Sequence, residues 1–239
     1  MSRAKTPPTA ATPADASTRP EVTSAEAVAS LKAAAKGARP TRRAFDRDQA
    51  LAAALREFWT NGYDTTSIAA LTAAMGIRPP SLYAAFGDKR QLFDEAVDLY
   101  TRTYGAAPPH GPDARSAVAG LLRHLAADYT DPSHPPGCLI ISAATNCGPD
   151  SQDVKAKLRA MREDTKAAIA SRIRGDIAAE RLPADTDADR LAAFYAAVVQ
   201  GMHQQACDGA DHATLQHIAD TAMAAWPTPP SSAPIGASV

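Results

Sequence analysis

The spacing of apolar side chains carries no regular signal until Asp46 and becomes helical from there. Leu51, Leu55 and Phe58 fall at i, i+4 and i+7, an amphipathic stripe that predicts a first helix. Asn61, Gly62 and Tyr63 stop it. Thr65 or Thr66 then caps a second helix, with Ile68, Leu71 and Met75 on one face. Gly76, Ile77 and Arg78 form a three-residue turn into a third, short helix that opens on Pro79 or Pro80. Proline is tolerated there because the first turn has no internal donor to lose. The residue before a proline is pushed out of helical space, so Arg78 marks a corner. Leu82 and Phe86, four apart, pack inward, while Arg78, Ser81 and Tyr83 point elsewhere. A helix this short cannot stand alone in water, so it must lean on its neighbours and present one polar face. Asp88 and Gln91 have the spacing of a capping box. They open a fourth helix, from Lys89 to near Tyr104, with Leu92, Phe93, Ala96, Val97 and Tyr100 on its inner side.

A Pro/Gly-rich stretch around residues 105–112 reads as a linker. Beyond it the pattern predicts helices over 113–129, 152–180, 190–208 and 212–226. A short apolar helix lies in CLIISAATNC, after the break at DPSHPPG. The long helix repeats Val154, Leu158, Met161, Ile169, Ile173 and Ile177 at helical spacing. The last two carry wide apolar faces: Leu191, Phe194, Tyr195, Val198, Val199 and Met202, then Leu215, Ile218, Ala219, Ala222, Met223 and Trp226. The expected fold class is all-α: an N-terminal three-helix helix-turn-helix domain followed by a C-terminal helical domain.

Composition changes this picture in three places. Residues 1–41 are rich in Ala, Pro, Thr and Ser and too poor in large apolar side chains to order themselves. Through Arg43 they carry eight Lys/Arg against three acids, a formal +5, while the 239-residue chain totals −1. The positive charge is therefore local, a basic arm ahead of the folded part. Three cysteines, Cys138, Cys147 and Cys207, are too few for a disulfide framework and suggest a reducing cytosol. No apolar run reaches the ~18 residues of a membrane span, and the N-terminus lacks the apolar core of a secretion signal. The expected location is the cytoplasm, on the nucleoid when bound to DNA.

A helix, a second helix, a tight glycine turn and a short polar-faced helix together read as a helix-turn-helix over 67–86. The second helix of such a unit docks in the major groove while the first crosses the backbone. Arg78 and Ser81 sit at the N-terminal end, where side chains meet base edges. Tyr83, Thr66 and Lys89 are better disposed toward phosphates, which set register without reading sequence. Arg42 and Arg43 of the arm complete the predicted DNA contacts.

The segment from Asp46 to Tyr104 resembles the DNA-binding domain of the TetR/AcrR family of one-component bacterial regulators. The resemblance rests on the ordered string Gly62-Tyr63, Thr65-Thr66, Ile68-Ala69, Gly76-Ile77, Leu82-Tyr83, Phe86 and Lys89. It implies an all-α homodimer, a two-fold operator in double-stranded DNA, and usually repression relieved by a small ligand. Thr66 and Tyr83 match the family's phosphate-contacting positions. Lys89 matches the lysine that opens the following helix near the backbone. Arg78, Pro79, Pro80 and Ser81 match the variable base-reading positions, with the proline pair replacing a more usual polar residue. The domains expected on this basis are a disordered basic arm (1–41), a DNA-binding domain (42–105), an effector-binding and dimerisation domain (111–227) and a disordered tail (228–239).

In such proteins the C-terminal domain dimerises and binds ligand, so the last two helices are assigned to a four-helix interface between subunits. The effector site is predicted between the middle helices, at Leu125, Tyr129, Cys138, Ile140, Ala144, Met161, Phe194 and Val198. Its apolar character favours a small hydrophobic effector. A reactive effector is the alternative. Cys138 follows Pro-Pro-Gly in the first turn of its helix, a location that lowers a thiol pKa and raises reactivity. His203 and Cys207, four apart, have a spacing a metal could use, but no metal or cofactor is assigned. Two other classes remain open: a ligand-independent architectural DNA-binding protein, and an enzyme with an appended DNA-binding domain. No nucleophile elbow, phosphate loop or carboxylate pair supports an enzyme.

Overall fold

The computed structural model describes residues 46–105, 109–145 and 147–228, and these are helical with no strand. In chain order the helices are α1 (Arg47–Asn61), α2 (Ile68–Met75), α3 (Pro79–Phe86), α4 (Lys89–Thr103), α5 (Ala114–Asp128), α6 (Leu139–Thr145), α7 (Gln152–Ala178), α8 (Ala188–Cys207) and α9 (His212–Ala224). A single 3-10 turn, Pro149–Ser151, precedes α7. The basic arm, with Arg42 and Arg43, and the tail from residue 229 lie outside the described residues.

Short polar side chains start most of these helices by taking up backbone N–H groups that the first turn leaves unpaired. Asp46, Asp88, Asp113, Asp187 and Asp211 do so for α1, α4, α5, α8 and α9. Ser67 caps α2 by accepting from the Ala70 N–H at 3.0 Å, which corrects the expectation of Thr65 or Thr66. Helix α3 has no side-chain cap, since Pro79 and Pro80 occupy its first positions.

Two apolar cores form. The first gathers Leu51, Leu55, Phe58 and Trp59 of α1 with Leu71, Leu82, Leu92 and Phe93 of α2, α3 and α4. Phe58 and Phe93 meet edge to face at 5.0 Å between centroids. The second joins α5, the later part of α7, α8 and α9 around Leu122, Ile173, Tyr195, Met202 and Trp226.

The boundary between the cores does not coincide with the linker at 105–112. Leu139 and Ala143 of α6, and Val154 and Leu158 at the start of α7, belong to the first core. Polar contacts tie the same elements. Asp64, ahead of α2, accepts from the Gly148 N–H and the Ser151 hydroxyl. Arg90 pairs with Asp153, and Lys157 with Asp94 at 2.9 Å. Helix α7, 27 residues long and so roughly 40 Å from end to end, serves both cores. No described helix is long and apolar enough to cross a membrane.

Candidate nucleic-acid interface and internal cavity

Helix α2, its turn and α3 form the expected helix-turn-helix. Gly76 ends α2 at φ +66°, ψ +31°, the left-handed conformation that a side chain resists. The Ile77 N–H returns to the Thr72 carbonyl at 3.0 Å, closing the turn. Leu82 and Phe86 are buried, and α3 therefore presents Arg78, Pro79, Pro80, Ser81 and Tyr83 to solvent. Tyr83 is 49% exposed, one of two large apolar side chains left so open among the described residues. The helix is held from behind by Arg47, whose guanidinium lies 4.4 Å from the Phe86 ring centroid. The same group donates to the Ala85 carbonyl at 3.2 Å and pairs with Glu95 of α4 at 2.7 Å. The polar face of α3 is thus a braced surface that leaves Arg78, Ser81 and Tyr83 exposed.

Two of the predicted contacts have other partners. Thr66 is buried, and its hydroxyl donates to the Gly62 carbonyl at 2.6 Å. Its side chain holds the α1–α2 corner and does not reach solvent. Lys89 is half-buried, its Nζ 4.5 Å from the centre of the Tyr63 ring and 3.4 Å from the Asp64 carbonyl. Burial lowers its pKa, with the Asp64 carboxylate opposing.

A cavity of about 170 Å³ lies among α4, α5, α6, α7 and α8. Of the eight predicted effector residues, Leu125, Tyr129, Cys138, Ile140 and Met161 line it. Three do not. Ala144 is buried in the first core, Val198 packs on the second, and Phe194 is 42% exposed on the outer face of α8. The apolar face of α8 is wider than one helix–helix contact, so its residues divide between interior and surface. Sequence reasoning missed Tyr100, Tyr104 and Arg162 among the cavity walls. Arg162 carried a signal, because it stands one turn beyond Leu158 on the otherwise apolar stripe of α7.

Cys138 makes polar contacts with two neighbouring helices. The Tyr100 hydroxyl donates to its sulfur at 3.3 Å, and burial pushes the thiol pKa up despite that bond. That burial disfavours the thiolate and opposes the effect expected of a helix start. The Cys138 backbone N–H donates to Nδ1 of His203 at 2.9 Å. Gly137 makes this approach practicable, since a Cβ there would stand 2.3 Å from that nitrogen. Burial lowers the His203 pKa, consistent with a neutral ring accepting through Nδ1. His203 and Cys207 meet at 3.8 Å, but no group of three or more His, Cys, Asp or Glu among the described residues is placed to hold a metal.

Comparison with known proteins agrees with this geometry. The family model described as "Bacterial regulatory proteins, tetR family" matches residues 50–96. The one described as "Tetracyclin repressor-like, C-terminal domain" matches residues 115–222. The HTH-type transcriptional repressor ComR of Escherichia coli (strain K12) is 34% identical over 80% of this chain and 94% of its own length. BdcR, an HTH-type transcriptional repressor of the same organism, is 30% identical over 78% and 89%. Among solved structures, a cysteine mutant of the TetR family transcriptional regulator CifR, complexed with 26-bp double-strand operator DNA, is 44% identical. It superposes with a TM-score of 0.72 and covers 80% of this chain and all of that one. The chain belongs to the TetR family of bacterial transcriptional regulators.

Proposed function

We propose that the protein is a repressor that binds a palindromic operator as a homodimer and releases it when a small molecule fills the cavity behind α4. One observation carries the DNA reading: α3 buries both of its large aliphatic and aromatic anchors while Arg78, Ser81 and Tyr83 stay in solvent on a braced helix. Arg78 then reads a base, and a bidentate arginine–guanine contact is worth about 1–3 kcal/mol of discrimination. Tyr83, Lys89 and the backbone at Thr66 hold phosphates, with Arg42 and Arg43 adding charge from the arm. The operator-bound relative, at 44% identity over its whole chain, supports the same docking.

Dimerisation through α8 and α9 is supported by apolar surface that the monomer leaves uncovered. Phe194 is exposed, and Leu191, Val198 and Ile218 are half-buried. A two-fold pair would set the two α3 helices about 34–36 Å apart, one turn of DNA. The protein acts in the cytoplasm, on nucleoid DNA.

Coupling between ligand and DNA is supported by α4. Its first half packs against the helix-turn-helix through Leu92 and Phe93. Its last turns put Tyr100, Thr101 and Tyr104 on the cavity wall. A ligand that moves those residues moves the scaffold of α3 and favours a dimer whose reading helices no longer match successive grooves.

Footprinting on the DNA upstream of the protein's own gene tests the proposal. A protected palindrome spanning two successive grooves is the expected result. Uniform protection with a steep salt dependence would instead favour the architectural alternative.

A further inference from the structure

Among the described residues that line the cavity, Arg162 is the one charged side chain, and no aspartate or glutamate shares the wall with it. It is half-buried, and burial lowers its pKa. Among the described residues it makes one protein hydrogen bond, from Nη1 to the Ile140 carbonyl at 2.8 Å. No carboxylate of the described residues forms an ion pair with it. Its sequence neighbour Glu163 is exposed and pairs with Lys166. A guanidinium offers five N–H donors in a planar fork, and a cation withdrawn from water is costly unless it is paired. Thr101, Thr165 and Gln200 add uncharged polar groups, and the rest of the wall is mainly apolar or aromatic, with Leu121, Leu125, Ile140, Met161, Tyr100 and Tyr129 facing the space.

The volume limits the occupant. A dry cavity of about 150 Å³ holds one benzene ring, and this one is about 170 Å³. Resting on the reading of this cavity as the effector site, we propose that its ligand is a small monocarboxylic acid. The body is a single aromatic ring or a branched chain of similar size, and the carboxylate pairs with Arg162. A planar carboxylate matches the arginine fork in two parallel bonds. The apolar body replaces empty space against the leucine, isoleucine and methionine side chains.

The test is calorimetric titration of the full-length protein, without DNA, using benzoate and phenylacetate against benzamide and benzyl alcohol at equal ionic strength. At least one acid is expected to bind, and at least tenfold more tightly than its neutral counterparts. Arg162→Gln should remove that preference, and Arg162→Lys should retain part of it. Circular dichroism checks that each variant is folded. If Arg162→Gln does not fold, the acid–neutral contrast in the unaltered protein still decides. Equal binding of acid and neutral probes overturns the proposal, as does failure of both acids to bind or unchanged benzoate affinity in a folded Arg162→Gln protein. Operator release is measured separately. An acid that binds through Arg162 yet leaves the DNA complex intact contradicts the gating mechanism and leaves the ligand class standing.

Discussion

Helix α3 and the cavity behind α4 are both candidate binding surfaces, but they are built in opposite ways. Helix α3 is a convex surface made within one short stretch. Leu82 and Phe86 go in, Arg78, Ser81 and Tyr83 stay out, and Gly76 sets the approach angle. The cavity is concave and takes its walls from five helices, from Tyr100 to Gln200. The convex surface depends on local spacing and on a few braces such as Arg47. The concave one depends on how distant helices are registered, and on α7, which serves both cores. Local surfaces can change their reading residues without loss of fold. A cavity wall that is also core cannot.

Leu158→Ala should break both surfaces at once, because Leu158 is fully buried in the first core on the helix that carries Arg162 one turn later. A loss of about 2–5 kcal/mol is expected for such a truncation, measurable as a fall in denaturation midpoint. A near-neutral result would mean that α7 does not anchor the DNA-binding helices. Arg78→Ala should separate the surfaces. Stability should hold, since the side chain is exposed, while discrimination at one operator base falls by about 1–3 kcal/mol. Competition binding against single-base operator variants measures this, and unchanged preference at every position would remove Arg78 from readout.

Gly76→Ala sharpens the comparison on the backbone side. Nothing lies within 4 Å of a Cβ at that site, so the cost is the left-handed conformation alone. About 1–2 kcal/mol of destabilisation is expected by thermal unfolding, with little change at the cavity.

The smallest effect is expected from pH. His134 stacks on Trp59 at 4.7 Å between centroids and lies 3.5 Å from Asp128. Burial opposes its cation, but the Asp128 carboxylate and the Pro135 carbonyl outweigh burial and raise its pKa above the ordinary 6.5. The folded state therefore holds this proton more tightly than the unfolded chain. The resulting stability is complete below pH 6.5 and is lost as pH rises through the raised folded value. Melting curves of the parent and His134→Gln should converge along that rise. A gap that widened with pH would reverse the assignment.

The two surfaces were not equally legible in the sequence. The inner face of α4, read as Leu92, Phe93, Ala96, Val97 and Tyr100, is the buried set in the structure, because a single stripe against a single core is a local property. The cap of α2 fell on Ser67 and not on Thr65 or Thr66 because three adjacent hydroxyl residues give no sign of which one turns inward, and the packing of the α1–α2 corner, which buries Thr66, decides it. At the cavity, periodicity could mark Met161 and Ile140 as interior but could not distinguish a wall from filled core. Ala144 and Val198 lie off the cavity wall for that reason. Phe194 sits on an apolar face wide enough to include surface. Cys138 was read from its helix position, whereas its burial depends on elements distant in the chain, and that burial pushes the thiol pKa up although hydrogen bonds from Tyr100 and Tyr129 oppose it.

The central claim is that α3 lies in DNA grooves, twice per dimer. It is tested most directly by the operator affinity of an Arg78→Ala/Tyr83→Ala double variant, with folding and subunit pairing verified by circular dichroism and sedimentation. Affinity at least tenfold weaker than the parent's is predicted. A folded, paired variant that held the operator as tightly as the parent would contradict it.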